Sequence, residues 1–405
     1  MHARNDGGRP RLLVLNQYYW PGKEATANLL TELCEALADE YEVTVVTGAA
    51  PDQPPRSERN GVAIVRVHST SYDRTLLSRR AANYFTYATG ALAEALRCGR
   101  PDVVLSMTDP PFIGAVAELV ARRFRARLLV ISQDVFPEIA VQLGRLRNPV
   151  LVRALGLLVG HYLRRADQVV AIGETMRIRL EAKGASPEHV RVIPNWTDTT
   201  RLAPAPKDNE WSRENGYADR FVVMHSGNVG HAQDLDTLVR SATFLRDLDD
   251  LCVAIVGVGA RHGELVTLAG WLETDQVKFL PYQSRSVLSQ SLSAADVHVV
   301  GLARGLAGFV VPSRLYGILA VARPVIVAAE DSTETAQLVR EVGCGVVVPP
   351  GRPDELARAI RELHGPRRSE LAEMGLRGRE YVVAEADRAV AVQRYREALR
   401  DVVAA

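Results

Sequence analysis

The sequence predicts two α/β domains, each built on a doubly wound parallel β-sheet with helices on both faces. The chain has 405 residues, and a single hydrophobic core seldom serves more than roughly 250–300 residues. Short apolar runs typical of buried strands alternate with helix-like stretches, and strands joined by helices form parallel sheets. A polar, proline-containing stretch at 195–219 separates two such series and is expected to link the domains.

The first series defines an N-terminal Rossmann-like domain over residues 1–198. It opens with a strand at 11–16, a loop at 17–23 and a helix at 24–37. The elements expected after these are strands at 42–47, 63–68, 102–107, 127–132, 168–172 and 190–193 and helices at 81–97, 113–124 and 149–165.

The second series defines a C-terminal Rossmann-like domain over residues 199–378. Its strands are expected at 221–225, 251–256, 277–280, 297–300, 324–327 and 345–348. The tail, 379–405, is predicted to form one charged amphipathic helix that packs back on the rest. Because such sheets bind ligands at the carboxyl ends of their strands, we expect the two domains to face each other across a ligand cleft.

Composition narrows the possible partners. The net charge is +1 with 24% charged residues, so the chain lacks the overall basicity of a nucleic-acid-binding protein. Four scattered cysteines and nine histidines without ligand spacing predict neither disulfides nor a protein-bound metal, and no cofactor is expected. An apolar run of about 18 residues, which a membrane span requires, is missing, so we expect a cytoplasmic protein.

Two motifs in the second domain follow predicted strands. Glycines in the run Ser226–Gly230 would let the backbone turn tightly and bring amides toward a phosphate; the alternative is a tight turn without a ligand. The run Phe309–Ala320 contains Pro-Ser-Arg, in which the amides of Val311 and Ser313, the Ser313 hydroxyl and the Arg314 guanidinium could converge on a diphosphate. Arg314 could equally be a solvated residue at a helix start.

Two further motifs lie in the first domain. Asp134 and Glu138, four residues apart at a strand end, lie where such sheets bind ligands, although Asp134 could instead cap the next helix. The loop after the first strand carries Tyr18, Tyr19, Trp20 and Gly22. Its aromatic rings could stack on a sugar or a base, or they could pack on the domain.

Eight segments together resemble a known family. They are LLVLNQYYWPGKEAT at the start, DPPFIG at 109–114, QDVFPE at 133–138, RRADQVVAI at 164–172, VIPNWTD at 192–198, HSGNVG at 225–230, VVPSRLYGILA at 310–320 and GVVVPPGRPDEL at 345–356. On these residues the chain resembles the retaining GT-B glycosyltransferases of the family 4-like group, especially transferases of colanic acid and other surface polysaccharides. The resemblance spans nearly the whole chain.

The resemblance implies a hexosyl- or N-acetylhexosaminyltransferase that retains the anomeric configuration. The second domain would bind a nucleotide-diphosphate sugar through Gly227, Asn228, Gly230, Val311, Ser313, Arg314, Tyr316 and Glu334. Tyr19, Gly22, Asp134 and Glu138 would lie on the acceptor side, with a lipid-linked or other glycan acceptor. Asn228, Arg314 and Asp134 are the residues expected to act in catalysis.

The sequence departs from the family in two places. Many relatives carry a Glu, seven residues, Glu motif, whose two positions are Phe309 and Gly317 here. Many relatives also carry an Arg and a Lys just after the glycine loop, where this chain has the residues from His231 to Asp234. The phosphates would then be bound by Arg314, with Arg304 as the second candidate. Two alternatives follow: a nucleotide-sugar 2-epimerase, which would consume donor without acceptor, and an inactive partner, which would bind no nucleotide diphosphate.

A lipid-linked acceptor also implies that the first domain contacts a membrane surface. Two arginine-rich segments could lie in the interface. The first, 74–100, has Arg74, Arg79, Arg80, Arg97 and Arg100 against Glu94, with Tyr84, Phe85 and Tyr87 between them. The second, 145–165, has five arginines, no acid and an apolar stretch at 154–159, but it could also be a buried core helix. The first segment is the better test.

Overall fold

The computed structural model describes residues 8–22, 24–70 and 77–404, without the side chains of 77–81. The chain forms two compact units. Unit 1 contains the residues up to Ile193 and those from Val392 onward, and unit 2 contains Pro194–Ala391. These boundaries differ from the predicted ones at 198 and 378.

The boundaries differ from the prediction because the segments by which the chain enters and leaves unit 2 contact each other. Thr197 forms a parallel bridge with Asp387, and the Thr199 hydroxyl donates to the Asp387 carboxylate at 2.7 Å. The segment that enters unit 2 is therefore fastened to the segment that leaves it. The predicted linker also belongs to this unit, since its Trp211 is buried and donates to Gln283 at 2.9 Å.

The described residues of unit 1 form an eight-stranded sheet in the order β3-β4-β2-β1-β5-β6-β7-β8. Its strands are β1 Arg11–Leu15, β2 Glu42–Gly48, β3 Arg56–Arg59, β4 Val62–Val67, β5 Val103–Ser106, β6 Arg127–Ser132, β7 Gln168–Ala171 and β8 Val190–Val192. All neighbouring strands are parallel except β3, which runs antiparallel to β4. The sequence analysis missed β3 because its residues, Arg-Ser-Glu-Arg, are polar and lie at the edge of the sheet.

Helices cover this sheet. They are α1 Ala25–Leu37, α2 Leu77–Ala95, α3 Ile113–Phe124, α4 Glu138–Gln142, α5 Pro149–Arg165 and α6 Glu174–Ala182. Every residue of β5 and β7 is buried, as expected of parallel strands with helices on both faces.

Unit 2 holds a parallel sheet of six strands among its described residues, in the order β11-β10-β9-β12-β13-β14. The strands are β9 Phe221–Ser226, β10 Leu251–Val256, β11 Val277–Leu280, β12 Val297–Gly301, β13 Val325–Ala328 and β14 Gly345–Val348. The helices are α7 Glu210–Glu214, α8 Leu235–Ser241, α9 His262–Trp271, α10 Leu288–Ser293, α11 Arg314–Ala320, α12 Glu334–Val342, α13 Pro353–His364 and α14 Leu371–Glu385. The neighbouring positions of β9 and β12 bring together the two motifs that follow them.

The tail is two helices rather than the single one predicted. α14 ends at Glu385 and α15 covers Arg388–Ala404. Asp387 stands between them, and its carboxylate accepts the amide of Ala389 at 2.8 Å, as a helix-capping residue does. The last part of α15 belongs to unit 1, where Arg396 pairs with Asp39 at 2.7 Å and Arg400 pairs with Glu40 at 3.0 Å.

α5 is not the buried core helix that one interpretation of the sequence predicted. Val159, Tyr162 and Leu163 in its second half are buried, but much of its first half faces solvent. Within the described residues, no helix combines the length and the apolar content needed to span a bilayer.

Candidate functional site

The glycine loop of unit 2 follows β9 at the centre of the sheet. Gly227 has φ +137°, a conformation that favours glycine. Its amide donates to the Val256 carbonyl at 2.9 Å, and the amide of Val229 donates to the Val258 carbonyl at 3.0 Å. The Gly230 amide donates to the Gln233 side chain at 3.0 Å. These three amides therefore already have partners within the protein, and the prediction that amides at this loop reach a phosphate stays a prediction for the others.

A second glycine pair makes this loop possible. A Cβ added to Gly257 would lie 1.9 Å from the Gly227 carbonyl oxygen, and one added to Gly259 would lie 2.2 Å from the Val229 oxygen. Both distances are far below van der Waals contact, so only glycine lets the loop after β10 run against the loop after β9. The sequence analysis missed Gly257 and Gly259, although the run Val-Gly-Val-Gly directly after a buried strand was a visible signal.

Arg314 reaches the glycine loop from the second motif. A Cβ added to Gly227 would lie 3.7 Å from Cζ of Arg314, so the bare face of this glycine is turned toward the guanidinium. Arg314 begins α11, directly after Pro312 and Ser313. The structure thus brings Gly227 and Arg314 together, although 87 residues separate them in sequence.

The guanidinium of Arg314 contacts a buried imidazole. Its Nη1 lies 2.8 Å from Nε2 and 3.1 Å from Nδ1 of His225, the penultimate residue of β9. Burial, and then the charge of Arg314, hold the pKa of His225 well below its usual value, so the ring is neutral. A neutral ring keeps one unprotonated nitrogen, which can accept a hydrogen bond from the guanidinium.

Arg314 carries a positive charge that this contact does not neutralise. Burial lowers its pKa to about 10, which leaves it charged at neutral pH. Within the described part of the chain, no carboxylate lies within ion-pairing distance of the guanidinium. A desolvated cation without a counter-ion is costly, and an anionic ligand would remove that cost. The arrangement therefore suits an anion beside Gly227.

Some of the other residues predicted to bind the sugar donor lie at the surface of unit 2, and others are buried in it. Asn228 is exposed, and its amide nitrogen lies over Gly230, 2.8 Å from where a Cβ would stand. Ser313 is half-buried at the start of α11. The side chains of Val311 and Tyr316 are buried in unit 2. The predicted contact of Val311 uses its backbone amide, which burial of the side chain does not test.

Glu334 is the first residue of α12, near the buried Tyr316 hydroxyl. Burial raises the pKa of Tyr316, and electrostatic interaction with Tyr381 and Glu334 raises it further. Glu334 therefore lies near α11, the helix that begins at Arg314, because Tyr316 belongs to that helix.

The two positions that depart from the family motif offer no carboxylate. Phe309 is buried. A Cβ on Gly317 would approach Cδ2 of Leu202 to 3.3 Å, so α11 packs closely on the segment that enters the unit.

A carboxylate that the sequence analysis missed lies nearby. Glu330 follows β13, and its Oε2 accepts the amide of Gly305 at 2.8 Å. Arg304, the second candidate for phosphate charge, donates instead to the Pro350 carbonyl at 3.3 Å. The loops after β12, β13 and β14 are thereby connected. An acidic residue two positions after a buried strand was the available signal for Glu330.

In unit 1 the loops at the carboxyl edge are hydrogen-bonded to one another. The Gln17 amide donates to the Asp109 carbonyl at 2.9 Å, and the Gly48 amide donates to the Gln17 carbonyl at 3.0 Å. Asp134 follows β6 at the same edge and is half-buried. The interpretation of Asp134 as a helix cap is wrong, because Pro137 holds the N-cap position of α4.

Three predicted acceptor-side residues serve the structure of the unit. Glu138 pairs with Lys183 at 2.6 Å, although its second oxygen, Oε2, is buried without a hydrogen bond among the described atoms. Tyr19 is buried against Cys34, and burial raises the pKa of both side chains. Gly22 closes a turn, since its amide donates to the Tyr19 carbonyl at 2.8 Å and a Cβ would clash there.

The aromatic loop packs on its own unit. Two guanidinium groups lie over the Trp20 ring, with Cζ of Arg59 at 4.7 Å and Cζ of Arg66 at 5.7 Å from its centroid. Of the two interpretations of this loop, packing on the domain fits Tyr19 and Trp20.

Part of the first arginine-rich segment, 74–100, lies outside the residues that the structure describes. Arg74 lies outside the described residues, and the side chains of Arg79 and Arg80 are not described. Among the rest, Tyr84 and Tyr87 are buried, and Arg97 pairs with Glu94 at 3.0 Å.

Two family models match the chain. The one described as Glycosyl transferase 4-like domain matches residues 25–196, and the one described as Glycosyl transferases group 1 matches residues 207–380. The probable glycosyltransferase WbjE of Pseudomonas aeruginosa is 29% identical over 299 residues, which cover 71% of this chain and 72% of WbjE. The putative colanic acid biosynthesis glycosyl transferase WcaI of Escherichia coli K12 is 29% identical over 275 residues, which cover 66% of this chain and 67% of WcaI.

The fold has a close counterpart among solved structures. Anabaena Alr3699/HepE, crystallised in complex with UDP, aligns with a TM-score of 0.76 at 16% identity over 96% of this chain and 100% of that chain. None of these matches favours the epimerase or the inactive partner. Together, the two family matches and the named relatives show that the chain belongs to the family 4-like glycosyltransferases with the GT-B fold and is a glycosyltransferase enzyme.

Proposed function

We propose that this glycosyltransferase moves a sugar from a nucleotide-diphosphate sugar to a lipid-linked or other surface-polysaccharide acceptor, with retention of configuration, at the cytoplasmic face of a membrane. The proposed binding of a nucleotide-diphosphate sugar rests on the positive charge of Arg314, which has no counter-ion among the described residues and lies beside Gly227. A diphosphate is the anion that such a donor would bring to this position. The UDP complex of the HepE protein, which shares the fold, supports a nucleotide diphosphate here.

In this proposal Arg314 stabilises the charge that builds up on the leaving diphosphate. The guanidinium is held by His225, and a partly buried site strengthens its interaction with an anion. Asn228, whose side chain is exposed beside Gly230, would donate to the same group. No protein nucleophile is needed, because the acceptor hydroxyl attacks as the diphosphate departs.

The acceptor would approach Asp134, the half-buried carboxylate after β6. A carboxylate there accepts a hydrogen bond from the acceptor hydroxyl and orients it. The relative WcaI, which is described as a putative colanic acid biosynthesis glycosyl transferase, supports a surface-polysaccharide acceptor. Retention rests on the family resemblance.

The test is turnover of the purified chain with a panel of nucleotide sugars and lipid-linked acceptors, followed by mass spectrometry of the product. Arg314→Ala should lower kcat by about 10²–10³-fold, the usual loss when one donor to a developing negative charge is removed. Arg240→Ala, at an exposed arginine of α8, is the matched control and should leave kcat unchanged. Absence of UDP or GDP binding by calorimetry, or an Arg314→Ala variant within about twofold of wild type, would contradict the donor assignment.

A further inference from the structure

The first half of α5 presents an apolar face to solvent. Val150 is 76% exposed, Leu157 is 64%, Leu151 is 47% and Leu158 is 37%. With the exposed Ala154, these residues recur every three or four positions and therefore lie along one side of the helix. We call this set of five residues the α5 face. It is a contiguous run of large apolar side chains rather than scattered single ones, which are ordinary on protein surfaces.

The fold holds α5 by its other half. Tyr162 is buried, and a Cβ on Gly114 of α3 would lie 2.6 Å from Cε2 of its ring. At the opposite end, the Asn148 side chain accepts the amides of Val150 at 3.0 Å and Leu151 at 3.2 Å, which fixes the start of the helix. The apolar face is therefore part of a well-defined helix that packs into unit 1 mainly through its second half.

The charged residues in this stretch of the sequence have one sign. Between Glu138 and Asp167 the sequence contains no acidic residue, while five arginines fall in the same interval. Arg147 stands just before the helix and Arg153 within its first half, and both are exposed. An apolar stripe bordered by arginines is the pattern of a helix that lies in the plane of a membrane interface, where each basic residue near anionic lipid adds attraction.

We propose that the α5 face docks on an anionic lipid surface, with Val150, Leu151 and Leu157 inserted below the headgroups and Arg147 and Arg153 among them. This inference rests on the proposed function, which places the acceptor at a membrane, and it assigns the contact to α5 rather than to the segment 74–100. A second copy of the chain is a poorer occupant. Symmetric pairing of the face with itself would bring two arginine-rich borders together.

Flotation of the full chain with vesicles tests the apolar part of the face. Wild type should float with vesicles of phosphatidylcholine and phosphatidylglycerol, and Val150→Gln with Leu157→Gln should bind them at least tenfold more weakly. The matched control is Ile178→Gln with Leu376→Gln, which changes two helical side chains of similar exposure, 59% and 56%, away from the face. The control should bind as wild type does.

Charge reversal tests the basic border. Arg147→Glu with Arg153→Glu should lose binding to the anionic vesicles at least tenfold, whereas Arg240→Glu with Arg285→Glu, the same charge change at exposed arginines of unit 2, should not. Equal flotation of an α5 variant and its control would overturn the proposal, as would a wild type that does not float. Conversion of a dimer to a monomer by Val150→Gln with Leu157→Gln in size-exclusion chromatography would assign the face to a second copy.

Folding and the proposed function are checked separately. Circular dichroism melting should be unchanged in all four double variants, because every substituted side chain is exposed or half-exposed. Binding of UDP or GDP by calorimetry should also be unchanged. If wild type floats but binds no nucleotide diphosphate, the proposed function fails while the docking surface stands; if it binds nucleotide but does not float, the docking surface fails alone.

Discussion

The contact between His225 and Arg314 depends on which of the two side chains carries charge. Both are basic, and two adjacent buried cations would repel each other strongly. The full burial of His225 resolves the conflict by keeping the imidazole neutral, so that it can accept a hydrogen bond and hold the guanidinium over Gly227. In the sequence, His225 is recognisable only as the residue before the glycine loop. Its partner lies 89 residues away, and strand order alone makes them neighbours.

A second buried histidine should make the stability of the chain depend on pH. His298 of β12 lies with Nε2 2.9 Å from the Leu292 carbonyl, while its Nδ1 is buried without a described partner. Burial lowers its pKa to about 4, from an unfolded value near 6.5. As pH falls below 6.5 the unfolded chain takes up the proton first, so stability is lost between about pH 6.5 and 4.

The expected size of this effect is a loss of about 2 kcal/mol in the free energy of unfolding between pH 7 and pH 5. His298→Gln keeps a hydrogen-bond donor for the Leu292 carbonyl but has no group that takes up a proton. The variant should therefore lose about 2 kcal/mol less stability than wild type between the two pH values. Urea unfolding at the two pH values measures it. His231→Gln, at an exposed histidine, is the control and should retain the wild-type slope. A His298→Gln variant with the full wild-type loss would show that His298 is not its source.

At the scale of elements, backbone contact between loops shapes the donor site more than side chains do. The loops after β9 and β10 are joined by two backbone hydrogen bonds, and glycines at 257 and 259 make room for them. The element order and most strand bounds were predictable because apolar runs and helical periodicity are local properties. The partners of the Gly227 and Val229 amides were not predictable, since the carbonyls that accept them lie at the end of β10 and in the loop after it.

Gly257→Ala should disrupt this pairing. The new Cβ would lie 1.9 Å from the Gly227 oxygen, and the residue has φ +142°, which side chains rarely adopt. We expect a loss of about 3 kcal/mol or more in stability, together with weaker nucleotide binding, because strain and a backbone clash combine. Thermal melting and calorimetry measure the two effects. Gly270→Ala, on α9 with no atom within 4 Å of its Cβ, should have neither.

α5 shows the limit of periodicity as evidence. Its apolar residues indicate a helix with an apolar side, and the helix is where the sequence predicts it. Whether that side is covered depends on how far neighbouring elements extend. Gly114 of α3 and the preceding Pro111 meet α5 at Tyr162, which lies in its second half. The same pattern therefore fits a core helix and an exposed one, and only the tertiary structure distinguishes them.

At the scale of the whole molecule, contacts between residues that are far apart in the sequence determine where each unit begins and ends. Asp387 fastens the end of unit 2 to Thr199, and Arg396 and Arg400 fasten the last helix to the end of α1 in unit 1. The predicted boundaries at 198 and 378 followed the last strand of the first series and the start of a tail without strands, whereas the units end where these pairings hold the chain. Their sequence separations exceed anything that a local pattern can report.

Donor binding should consequently be a property of unit 2. Hydrogen exchange of the full chain, with and without saturating UDP or GDP, should show protection concentrated in unit 2, at the loop 226–230 and at the segment 301–314, because the uncompensated charge lies there. The Gly227 and Val229 amides already donate within the protein and should be slow in both states, so the new protection should appear at their neighbours. Arg314→Ala should abolish the protection, while Arg240→Ala should leave it intact. Protection limited to residues before Pro194 would place the nucleotide in unit 1 and contradict the donor assignment.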